Sequence, residues 1–180
     1  VTVKTVEDLY RFEGDGRVEL VGGQLVELPL DVDLVSRAAG AIYVRLRGTE
    51  TPGGPGRAFT GGTAFLVDLP GRGSFSPNVA FNVGPRFGGR FPEGAPVFAV
   101  EVRNEEDYGE SAERRLATKR ADYFAAGTQV VWDVDVLRGE LIRLFRAADP
   151  ANPAVFRRGE EADAEPALPG FRMLVDEIFE

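Results

Sequence analysis

The chain has no cysteine and no histidine. Disulfides, Cys/His zinc sites, thiol nucleophiles and imidazole general bases are therefore excluded. Any chemistry must run on carboxylates, Lys, Arg, Tyr, Ser or Thr, or on a hard cation held by oxygen atoms, such as Mg²⁺ or Mn²⁺. Lysine is also scarce: of 21 basic residues only Lys4 and Lys119 are lysines. Where arginine is the default cation, an interior lysine calls for a specific reason. No apolar run approaches the roughly 18 residues of a membrane span and no signal-peptide pattern is present, which predicts a cytoplasmic protein. There is no glycine-rich phosphate loop of either standard type and no internal repeat. The formal charge of −8 argues against a protein that coats nucleic acid non-specifically, yet leaves room for a local basic cleft.

What is present suffices for one domain over residues 1–180, since 180 residues with 43% hydrophobic content can build an adequate core. The organising stretch is Pro96 to Arg103. Val97, Phe98, Ala99, Val100 and Val102 form a near-continuous apolar run of strand length, the pattern of a strand buried on both faces. Glu101 interrupts it. An ionised carboxylate is costly in such surroundings unless a cation or hydrogen-bond donors meet it. Period-two alternation puts Arg103 on the same side, so an internal Glu101–Arg103 pair stands as the plain alternative to a functional site.

Around that strand the pattern predicts a short helix from Thr5 to Phe12, with Thr5 as N-cap and Asp8 three residues on. Arg17–Val21 and Gln24–Leu28 flank Gly22-Gly23, a two-residue hairpin signal. A helix from Leu34 to Arg47 follows, N-capped by Asp33, with Leu34, Ala38, Ile42 and Leu46 beside Val35, Ala39 and Tyr43 on a broad apolar face. Ala58 to Asp68 reads as a strand bent at Gly61-Gly62, and Leu69 to Phe75 as a turn. Asn78 to Val83 alternates as a strand. Gly84 to Ala95 reads as a flexible connection carrying Arg86 and Arg90. Beyond the central strand come an acidic loop, a helix from Glu110 to Ala126 closed by Gly127, and a hairpin of Gln129–Asp135 with Glu140–Arg146. Ala147 to Pro169 is expected to wrap the surface, and Phe171 to Phe179 to dock the C-terminus. This order implies a mixed sheet covered by helices.

Lys119 is the second informative side chain. At about 100° per residue it lies roughly 60° from the line through Leu116 and Tyr123, at the border of the buried face. A snorkelling lysine is the plain reading; an ammonium acting on a phosphate or a metal-bound water is the sharper one. Glu19 in the first hairpin and Asn78 at a strand start would each be unremarkable alone.

Taken in order, these pieces resemble a family. Arg17-Val18-Glu19-Leu20-Val21-Gly22-Gly23-Gln24-Leu25-Val26 is similar to the opening hairpin of the Uma-two family of restriction-endonuclease-like proteins. Ser76-Pro77-Asn78-Val79-Ala80-Phe81 resembles that family's Pro-Asp-Val strand, and Val100-Glu101-Val102 its Val-Glu-Val strand. Lys119 to Asp135, with Tyr123, Ala126-Gly127 and Trp132-Asp133-Val134-Asp135, resembles its lysine helix and following strand, and Pro169-Gly170-Phe171 its closing segment. The resemblance implies an α/β fold of the PD-(D/E)XK nuclease-like superfamily, with a central mixed sheet. It implies DNA as substrate and Mg²⁺ or Mn²⁺ as cofactor. Glu101 and Glu19 would be the carboxylate ligands, Asn78 a neutral one, and Lys119 would stabilise charge or orient water. Arg86, Arg90, Arg114 and Arg115 would meet phosphates. The chain departs from the family at Asn78, where the motif has Asp, so one ligand charge is missing; Asp68 and Asp107 are the nearby acids that could compensate. Two readings follow: a metal-dependent DNA endonuclease with a degenerate, impaired site, or a non-catalytic interaction protein on the same scaffold, homodimeric in either case.

Overall fold

The computed structural model describes residues 2–14 and 16–179. Helix α1 (Val6–Tyr10) opens it, and the Thr5 backbone N–H donates to Asp8 Oδ2 at 2.8 Å, as the cap pattern requires. Strands β1 (Val18–Val21) and β2 (Gln24–Glu27) turn at Gly22 and Gly23, whose φ values of 56° and 71° are those of a tight primed turn. Helix α2 (Asp33–Arg47) buries Val35, Ala38, Ile42 and Leu46. The stripe thus starts at Val35, and Leu34 is exposed. Asp33 is the first helical residue rather than the cap, where its charge faces the positive helix end.

The segment read as one bent strand is two. Strands β3 (Gly56–Thr60) and β4 (Phe65–Leu69) enter different sheets, and Gly62, at φ 91°, lets the chain leave one for the other. The expected turn at Leu69–Phe75 is mostly strand: β5 (Arg72–Phe75) pairs back onto β4, leaving only Pro70-Gly71 to turn. Strands β6 (Val79–Val83) and β7 (Phe98–Val102) follow, then a 3₁₀ turn at Glu105–Asp107 and helix α3 (Glu110–Ala125). Next come β8 (Val130–Asp135), β9 (Leu141–Arg146) and β10 (Asp149–Arg157). The last is a further correction, because the expected surface wrap is a nine-residue edge strand paired to β9. A small ladder of β11 (Glu161–Asp163) with β12 (Arg172–Leu174) and a 3₁₀ helix, Val175–Phe179, end the chain.

The central sheet has six strands in the order β10-β9-β8-β7-β6-β3. Only β7 and β8 run parallel, joined by the α3 crossover; the other pairs are antiparallel. A second, antiparallel sheet has the order β2-β1-β5-β4. One face of the central sheet presents Phe98, Val100, Trp132 and Leu144 to α2 and the C-terminal segment. The other presents Ala99 and Val131 to Phe75 of β5 and Tyr123 of α3. The second face carries the candidate site. No helix among the described residues is long and apolar enough to cross a membrane.

Candidate functional site

Alternation along β7 sends Phe98, Val100 and Val102 into the α2 face and leaves Glu101 on the α3 face, with Asp133 of β8 as its lateral neighbour. The pairing of β6 to β7 stops at Val100, so Glu101 sits where the ladder opens. Helix α3 lies over this point, and Lys119 points inward, not to solvent. Its Nζ is 2.9 Å from Glu101 Oε1 and 2.8 Å from Glu19 Oε1. One turn later the Tyr123 hydroxyl donates to the same Glu101 oxygen at 2.6 Å. Tyr123 is held by a stack on Phe75 with ring centroids 3.9 Å apart.

Glu19 is brought in by the second sheet and is 3% exposed. Its Oε1 also accepts the Ser76 backbone N–H at 2.8 Å, and its Oε2 accepts from Arg72 Nη1 at 2.8 Å. Arg72 in turn donates through Nε to Asp122 of α3, again at 2.8 Å. Burial by itself would raise the Glu19 carboxyl, but the Lys119 charge and hydrogen bond, the Ser76 N–H and Arg72 outweigh it, and its pKa lies below the ordinary value. Burial likewise disfavours the Lys119 ammonium, while Glu101 and Glu19 more than reverse this and raise its pKa. The Tyr123 phenol is pushed well up, first by burial and then by Glu101.

Asn78 is 2% exposed and lines the same cleft, but its amide is turned to other partners. Its Oδ1 accepts the Val102 backbone N–H at 2.9 Å, continuing by side chain the ladder that the β6 backbone has left. Its Nδ2 donates to Asp31 at 3.2 Å. Asp31 also receives Asn104 Nδ2 at 3.2 Å and pairs with Arg17 at 3.3 Å. Arg103 is satisfied elsewhere than the plain reading supposed: it binds both oxygens of Asp133, at 2.6 and 2.7 Å, and also meets Glu113. Lys119 and Tyr123 are what meet Glu101. Asp68 is exposed on β4, and Asp107 accepts from the Asn104 N–H and from Arg115, so neither pairs with Lys119.

These groups floor a cleft of about 270 Å³. Glu19, Glu27, Glu101, Glu106, Asp107 and Asp133 line it against Arg17, Arg72, Arg103, Arg115 and Lys119. Of the four arginines expected at phosphates, Arg115 alone is there. Arg86 borders a separate concavity, while Arg90 and Arg114 are exposed and sit beside Glu93 and Glu110.

The sequence matches the Uma2 family, described as "Putative restriction endonuclease", over residues 3–176. The chain belongs to this family. A crystal structure entitled as that of "a putative nuclease belonging to DUF820" from Anabaena variabilis superposes with a TM-score of 0.76 at 14% identity, covering 97% of each chain. At that identity the likeness speaks for the fold, which is the mixed α/β architecture expected. No curated protein matches.

Uma2 membership raises the question of a divalent cation, and the donors answer it. Mg²⁺ demands several free oxygen ligands in near-octahedral array. Both Glu19 oxygens are taken, Glu101 Oε1 is shared by Lys119 and Tyr123, and Asn78 Oδ1 serves Val102, which leaves Glu101 Oε2 as the one uncommitted oxygen of these three side chains. Among the described residues no group of three acidic side chains is arranged to hold a metal ion. The residues as placed do not fit Mg²⁺ or Mn²⁺.

Sequence reasoning overlooked Arg72, Asp122 and Asp31. Gly71-Arg72-Gly73 reads as a turn, and Asp122 is polar beside an aromatic. Asp31 sits in the short connection from Leu28 to Val32, and nothing in its neighbours marks it. Only the rarity of Lys119 and the apolar run around Glu101 carried a signal.

Proposed function

We propose that this chain is a DNA-endonuclease-type protein whose phosphodiester-cleaving site is impaired by Asn78. The observation that carries this reading is the use made of the Asn78 amide. Its oxygen secures Val102 and its nitrogen faces the Asp31 carboxylate, so position 78 offers a cation neither charge nor a free acceptor. Beside it Lys119 bridges the Glu19 and Glu101 carboxylates, which supports a carboxylate–lysine site. Family membership supports DNA as the substrate class; no hydrolytic step is assigned to the wild-type chain.

Asn78→Asp tests the reading. One carboxylate oxygen would still accept the Val102 N–H, while the other would replace a donor by a charge facing Asp31. Two juxtaposed carboxylates call for a cation, and a charge a few ångströms from a divalent ion is worth on the order of several kcal/mol before desolvation. The variant is expected to bind Mn²⁺ with measurable calorimetric heat and to nick supercoiled plasmid above wild type. If it does neither, the impairment runs deeper than one residue. The non-catalytic scaffold is then the better reading, and the excess of carboxylates over cations in the cleft already favours it.

A further inference from the structure

We infer that Lys119 is the resident cation of this site: its ammonium holds the position between Glu19 and Glu101 that a divalent ion would take. The wild-type chain then binds no metal there. A single Nζ reaches both carboxylates within 0.1 Å of the same distance, 2.8 and 2.9 Å. A snorkelling lysine would carry its head to water. Here the side chain is 12% exposed, against 4% for Glu19 and 16% for Glu101, so all three groups are desolvated together. Charges taken out of water need partners, and the two buried carboxylates have them in Lys119 and Arg72, while the part-exposed Asp122 also pairs with Arg72. A divalent ion entering between Glu19 and Glu101 would bring further positive charge to the one point already occupied by an ammonium.

The converse follows directly. Removing the ammonium leaves two convergent carboxylate oxygens around a vacated cation-sized space, which is a demand for a hard cation. The inference goes beyond the impaired-nuclease reading and does not depend on it, because it concerns cation occupancy and is read without DNA.

The decisive comparison is wild type, Lys119→Ala and Lys119→Ala/Glu101→Gln, each stripped with EDTA and titrated with MnCl₂ near neutral pH. Calorimetry and thermal unfolding are recorded in parallel. Wild type is expected to give no binding heat and no change in melting temperature. Lys119→Ala should melt lower in EDTA, recover when Mn²⁺ is added, and bind Mn²⁺ at least about tenfold more tightly than wild type. Glu101→Gln in that background should abolish the recovery. Mn²⁺ binding by wild type with an affinity close to that of Lys119→Ala would overturn the inference, since ion and lysine would then coexist. So would a Lys119→Ala protein that gains no affinity. If Lys119→Ala is unfolded in EDTA, refolding on addition of Mn²⁺ supports the inference and failure to refold counts against it, while the wild-type titration can overturn it alone.

Discussion

Glu19 illustrates how one residue can tie stability to pH. Its folded pKa lies below the ordinary value of 4.5. In the window beneath 4.5 the unfolded chain therefore binds the proton more readily, and stability rises with pH there. The contribution is fully present above the ordinary carboxylate range and is lost as pH falls through the depressed value. Urea unfolding of wild type and Glu19→Gln across the range from about pH 6 to about pH 3 should show a steeper acid loss in wild type. Equal slopes would mean that Lys119 and Arg72 do not stabilise the charged form. At this scale the sequence was legible where chemistry contrasted with its surroundings. Glu101 stood out in an apolar run, and Lys119 in a chain of arginines. Asn78 was legible as a position but not as a role, because its use depends on a backbone N–H that arrives from β7.

Helix α3 carries Lys119 and Asp122, and its end is built to a recognisable plan. Gly127 adopts φ 104°, the Thr128 N–H returns to the Tyr123 carbonyl at 3.0 Å, and the Gly127 N–H returns to Phe124 at 3.1 Å. This is a Schellman closure, and it requires a residue that tolerates the left-handed region. Gly127→Ala is expected to cost about 1 kcal/mol or slightly more. For a chain of this size that lowers the melting temperature by roughly 2–4 °C, measurable by calorimetry. A variant as stable as wild type would show that the closure contributes little. Helices and hairpins marked by glycine or by a cap were readable in advance because their signals are local. The division of β3 from β4, the strand character of β5 and the edge strand β10 were not, since each is decided by a partner strand distant in sequence.

For the whole molecule, the formal charge of −8 and a cleft with more acids than bases bear on partners. Without divalent cations wild type is expected to show no measurable affinity for duplex DNA at physiological salt in fluorescence anisotropy. Binding that falls steeply with added salt would instead reveal a phosphate-contacting surface outside the cleft. The plan of a central mixed sheet with helices was legible from element order. That its covering layer includes a second sheet was not, because the strand read as continuous from Ala58 had to be cut in two.

The site lies on the seam between those two sheets. Glu101 belongs to one, Glu19 and Arg72 to the other, and α3 reaches both through Lys119 and Asp122. The sheets are separate hydrogen-bonded ladders, so side-chain charges act as rivets between them. A rivet and a tool make opposite demands. A rivet is best when saturated and immobile, whereas a group that handles a substrate must keep a valence free. Lys119 and Arg72 are each held by two protein carboxylates. This architecture has turned what could be working cations into fasteners, and restoring them to work would require another means of holding the sheets together.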